Sequence, residues 1–162
     1  MTRTDGEQDD EAFYAITAIT LQMGKRSFNQ QKRAYEAWLA KYIPQAEAQG
    51  RPEDVPRLRR LVAEWLIDEA VEAKRPASAF EPLVNNIEAL GWENLLQKTL
   101  KISIICSYFA DRMWTKEGLR YLLPLKREVE NEYARTGDKA WAYYLNILAR
   151  TERRLRSRKR PF

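Results

Sequence analysis

Apolar residues recur along most of this chain at intervals of three and four, the period of an α-helix with one face turned inward. Phe13, Ile16, Ile19 or Thr20, and Met23 make the first such stripe, over about Asp9 to Met23, and Gly24 ends it. Ser27 stands where it can cap a second helix carrying Phe28, Tyr35, Trp38, Leu39 and Tyr42. Pro44 is expected to kink or end that helix, and Gly50 closes the segment. A third helix begins near Asp54, a good N-cap, with Leu58, Leu61, Val62, Trp65, Leu66 and Ala70 at helical spacing, and stops at Lys74-Arg75-Pro76.

Ser78 and Glu81 have the spacing of a capping box, ahead of a short fourth helix with Phe80, Leu83, Val84 and Ile87 inward; Gly91 ends it. The fifth segment, Trp92 to Met113, holds Leu95, Leu96, Leu100, Ile102, Ile105, Phe109 and Met113. Residues 101–109 are rich in strand-favouring types, but nothing else in the chain could pair with a strand there. The segment is therefore read as a helix, apolar around most of its circumference and central to the bundle. Thr115 can cap a sixth helix with Leu119, Leu122, Leu125, Val129 and Tyr133, interrupted by Pro124 and ended by Gly137. Asp138 caps a seventh, where Trp141, Tyr144, Leu145 and Leu148 face inward and Leu155 lies further along.

The pattern predicts an all-α protein, a compact single-domain bundle of six or seven helices with an apolar central helix. Residues 1–149 would form the body, and residues 150–162 a basic C-terminal extension of the last helix within the same domain. Tryptophans stand at 38, 65, 92, 114 and 141, with three of the four spacings equal to 27 residues. Their surroundings do not repeat with them, so they read as one core aromatic per helix and not as an internal repeat.

Composition narrows the chemistry. A chain of 162 residues that is 44% hydrophobic can bury a substantial core. It contains no histidine, which removes Ser-His-Asp and Cys-His catalysis, histidine metal sites and the imidazole proton shuttle together. The one cysteine, Cys106, excludes an internal disulfide and lies in an apolar run, where a buried small hydrophobe is expected. Glu64, Asp68 and Glu72 share a helical face, but helical carboxylate metal sites also use histidine, so no metal is expected. No glycine-rich loop of the nucleotide-binding kinds occurs, and no cofactor is implied. The chain reads as non-enzymatic.

The start is acidic, with Asp5, Glu7, Asp9, Asp10 and Glu11 where an export signal would need a basic and then apolar stretch. The longest uncharged apolar run, Ile102 to Ala110, is nine residues, against about 20 needed to cross a bilayer. These features point to a cytoplasmic protein without a membrane partner.

Charge supplies the main functional signal. The chain is +5, yet residues 150–162 alone hold seven cations, Arg150, Arg153, Arg154, Arg156, Arg158, Lys159 and Arg160, against Glu152. That end is +6 and the remainder −1. If the last helix reaches about Arg156, Arg150, Arg153, Arg154 and Ser157 share one face, a stripe suited to phosphates because each guanidinium offers them a two-pronged fork. Lys25, Arg26, Lys32 and Arg33 form a second basic group around Phe28 and Tyr35, rings that also fit the core stripe. A third, Arg57, Arg59 and Arg60, precedes Glu64, Asp68, Glu69 and Glu72 in one helix and is expected to pair with them as a solvated face.

The function these residues suggest is a helical subunit of a nucleoprotein complex. It would contact an RNA or DNA backbone through Arg150 to Arg160, with little sequence specificity, and through Lys25, Arg26, Lys32 and Arg33 secondarily. The alternative is a helical protein–protein adaptor or assembly subunit that never meets nucleic acid.

Overall fold

The computed structural model describes residues 5–157, with side chains from residue 11 onward. Arg158, Lys159 and Arg160 lie outside the described residues. Seven α-helices account for most of the described chain, with no strand among the described residues: α1 (Asp5–Thr20), α2 (Phe28–Ala48), α3 (Asp54–Glu72), α4 (Phe80–Leu90), α5 (Leu95–Asp111), α6 (Thr115–Thr136) and α7 (Lys139–Ser157). The all-α expectation holds, including residues 101–109, which are helical throughout. No helix among the described residues is long and apolar enough to cross a membrane.

Several helix ends follow from the caps read in the sequence. Ser27 accepts from the Gln30 backbone N–H at 3.1 Å, and the Gln30 side chain accepts from the Ser27 backbone N–H at 2.9 Å, closing a full capping box. Asp138 accepts from the Ala140 N–H ahead of α7, and Asn94, which the sequence reading did not single out, caps α5 through the Gln97 N–H. Gly137 sits at φ 68°, ψ 8° past α6, a left-handed conformation that favours glycine.

Other expectations fail for local reasons. The Ser78–Glu81 capping box does not form, because Ala77–Ala79 is a 3₁₀ turn that runs straight into α4 and leaves no extended N-cap residue. Asp54 lies inside α3 and pairs with Arg51 instead of capping. Thr115 is the first residue of α6, and its hydroxyl donates to the Leu155 carbonyl at 2.6 Å. Pro44 and Pro124 neither end nor interrupt their helices. Both are exposed, so the carbonyl that loses its donor one turn earlier lies on a side open to water. Phe13, placed on the inward stripe of α1 by spacing, is 63% exposed.

The chain divides into two compact units, one built from α1–α4 and one from α5–α7. In the first, Ile16, Tyr35, Trp38, Tyr42, Val62 and Leu66 form a buried cluster, with Ile19, Phe28, Leu58 and Leu83 packed against it. Gln31 and Glu69 are buried beside that cluster. In the second, Ile102, Ile105, Phe109, Leu122, Leu125, Val129, Leu148 and Leu155 are buried. Within its unit α5 is not enclosed on every side, since Leu96, Leu100 and Ile104, spaced four apart, are 37–40% exposed.

Charge separates along the same division. The α1–α4 unit carries 12 Lys and Arg against 15 Asp and Glu, a net of −3. The α5–α7 unit carries 16 against 8, a net of +8, of which residues 150–162 supply +6.

Candidate nucleic-acid interface

The amphipathic pattern of α7 decides which of its residues face water. Leu148, Thr151 and Leu155 are buried on one side. On the opposite side Lys139, Tyr143, Asn146, Arg150, Arg153 and Ser157 are all exposed. At about 100° per residue these six fall within an arc of about 80°. From Lys139 to Arg153 the stripe extends about 21 Å along the helix axis. Among the described residues, the side chains of Lys139, Arg150 and Arg153 take part in no ion pair or hydrogen bond, so their charge is uncompensated locally.

The other two described arginines of this segment are committed. Arg154, expected on the open stripe, stands at its edge and donates to the Asp111 carboxylate and, at 3.2 Å, to the Ser107 hydroxyl. Arg156 donates to Glu152 at 3.0 Å, one turn back, and Glu152 also accepts from Lys126 at 3.0 Å. Those two hydrogen bonds hold the Glu152 carboxyl below the usual range, ionised and engaged. The expected array of Arg150, Arg153 and Arg154 is therefore replaced by one of Lys139, Arg150 and Arg153. Its polar and aromatic members, Asn146 and Tyr143, were missed in the sequence, because Tyr143 sits next to the inward Tyr144 and carries no charge.

The Arg154–Asp111 pair and the Thr115–Leu155 hydrogen bond bring the C-terminal ends of α5 and α7 to the start of α6. Exposed Arg112 and Lys116 stand at this same end of the unit. Arg112 lies over the Tyr108 ring at 5.4 Å. The basic end thus draws on three helices and not only on the last.

The secondary group behaves differently. Lys25, Arg26, Lys32 and Arg33 are exposed, but they belong to the α1–α4 unit, and the rings among them are not open for stacking. Tyr35 is fully buried with its hydroxyl donating to Glu69 at 3.0 Å, and Phe28 is covered by the Arg75 guanidinium at 5.2 Å. The third group also departs from expectation. Arg60 donates to the Gly91 carbonyl at 2.7 Å, and Arg57 and Arg59 form no ion pair among the described residues. Glu69 is buried instead of solvated, accepting from Gln31 at 2.8 Å as well as from Tyr35.

Cys106 is fully buried, with its thiol 3.6 Å from the Gly118 carbonyl, and burial pushes its pKa up to about 12. It has neither the access nor the thiolate that nucleophilic chemistry needs. Among the described residues no group of three or more acidic or cysteine side chains could hold a metal ion. A cavity of about 350 Å³ opens between α1, α2 and the start of α3, walled by Phe13, Ile16, Trp38, Tyr42 and Leu58. Comparison of the chain with protein-family models, with characterised proteins and with solved structures gave no match.

Proposed function

We propose that this protein is a non-enzymatic helical subunit of a nucleoprotein complex, and that its α5–α7 unit contacts a nucleic-acid backbone. The observation that carries the reading is the exposed stripe Lys139, Arg150 and Arg153, three uncompensated cations on one face of α7. They stand on a unit of net charge +8. A rigid row of cations is attractive to phosphates and indifferent to sequence, because nothing in it is placed to read base edges in a groove. Arg158, Lys159 and Arg160 extend the same charge beyond the described residues. A cytoplasmic site of action fits a chain with a single, buried cysteine.

Binding of a labelled oligonucleotide, followed by anisotropy from about 50 to 200 mM salt, tests the reading. Affinity should fall as salt rises, and the K139E/R150E/R153E variant should bind more weakly with a shallower salt dependence. Removing three phosphate contacts corresponds to about 2 off the slope of log affinity against log salt for a single strand. No binding at about 50 mM salt, where electrostatic association is strongest, would rule the proposal out.

A protein–protein adaptor is the second reading, and the exposed Leu96, Leu100 and Ile104 on α5 favour it. It predicts a discrete partner that survives nuclease treatment and is lost in L100K/I104K, with α7 substitutions having no effect.

A further inference from the structure

We infer that the α7 face is a single-strand site, with Tyr143 as the platform on which an unpaired base stacks. The inference rests on the proposed backbone contact and adds the class of nucleic acid. Tyr143 is 62% exposed, the most open aromatic ring among the described residues of the α5–α7 unit. It stands on the same stripe as the uncompensated cations, one turn after Lys139 and about two turns before Arg150.

Its ring is also held in place. Tyr143 meets Tyr144 nearly edge to face, with centroids 5.4 Å apart and planes at 74°. Tyr144 in turn packs 6.0 Å from Trp141, at 54°. Tyr144, itself backed by Trp141, thus braces Tyr143 from the helix side, leaving the rest of the ring in solvent. An aromatic fixed before binding loses little conformational freedom when a base settles on it. Asn146, exposed one turn further on, adds an amide that can bond an unpaired base edge.

A single strand can use all of these at once, its phosphates on Lys139 and Arg150 and one base turned onto Tyr143. A duplex cannot, because its bases are already stacked on one another and only its backbone reaches a convex helix face. The cations alone would not distinguish the two forms, whereas the ring does.

The experiment compares the full chain and two variants, Y143A and Y143F, on a labelled oligothymidylate and a labelled mixed-sequence duplex, each about 20 nucleotides long, at about 50 mM salt. Wild type should prefer the single strand. Y143A should lose about tenfold in single-strand affinity, the scale of one base–aromatic stack, and leave duplex affinity unchanged. Y143F keeps the ring without the hydroxyl and should retain the preference, which separates stacking from a hydroxyl–phosphate hydrogen bond. Equal affinity of wild type for both forms, or an unchanged single-strand affinity in Y143A, would overturn the inference while leaving the backbone reading intact. Failure of wild type to bind either form would remove both.

Discussion

Arg154 of α7 is held against α5 by Asp111, whose carboxylate accepts from the guanidinium that would otherwise join the open row of cations. The same guanidinium donates to Ser107 at 3.2 Å, so both contacts lie on one neighbouring helix. The neighbours Arg153 and Arg154 consequently have different tasks, one facing solvent and one tying the helix down.

Charge reversal along α7 should therefore be graded. R150E and R153E are expected to weaken oligonucleotide binding more than R154E, because the positive charge of Arg154 is already countered by Asp111. D111N should release Arg154 and raise low-salt affinity. The pair is partly exposed, so its loss should cost stability no more than about 1 kcal/mol. Equal losses at positions 150, 153 and 154 would show that the ion pair does not set the binding surface.

Gly118 permits the close approach of α6 and α7. A Cβ at this position would lie 3.2 Å or less from three atoms of Leu155, which is itself fully buried. The two nearest atoms are the terminal methyls of Leu155, and because that side chain is fully buried they can move aside only by displacing their neighbours. G118A should destabilise the fold by about 1–3 kcal/mol, read as a lower denaturant midpoint. The double variant G118A/L155A should recover part of the difference expected from adding the single effects, since it removes the clash. Simple additivity of the two would contradict the packing described.

Glu69 should make stability depend on pH in an unusual direction. Burial pushes its carboxyl above the usual range, with Asp68 and Glu72 adding to the rise and the hydrogen bonds from Gln31 and Tyr35 opposing it. With a raised native pKa, the folded chain keeps its proton where the unfolded chain has lost it. The stability from this group is complete below the ordinary glutamate value of about 4.3 and is lost as pH rises through the native value. E69Q keeps an acceptor for both donors without the charge, so it should flatten this part of the profile and be no less stable than wild type at pH 7. E69A, which leaves Gln31 and Tyr35 without that acceptor, should lose about 1–3 kcal/mol. Denaturant midpoints between pH 4 and 8 would check this, and equal destabilisation by E69Q and E69A at pH 7 would refute it.

Cys106 should be inert in the native protein. With its pKa pushed to about 12 and its side chain buried, a disulfide reagent at pH 8 should react only as fast as the chain opens. Rapid modification without denaturant would contradict the packing of α5 against α6.

What the sequence determined by itself was local. Period, caps and left-handed glycines are properties of a few neighbouring residues, so Ser27, Asp138 and Gly137 could be read directly, whereas helix over 101–109 was read against its strand-favouring composition, from the lack of any strand to pair with it. Pro44 does not end α2 and Pro124 does not interrupt α6, because the cost of a missing N–H depends on whether water can reach the orphaned carbonyl, which only exposure reveals. The net +6 over residues 150–162 was equally plain, being a sum of formal charges. Which of those charges remains open was not, because Asp111 lies 43 residues before Arg154 and meets it only when α5 packs beside α7. Tertiary structure also decided that Glu69 is buried with Gln31 and Tyr35, a contact spanning 38 and 34 residues of chain. It likewise turned Tyr143 outward beside Arg150 and Arg153, since a helix's open face is known only once its packed face has found a partner.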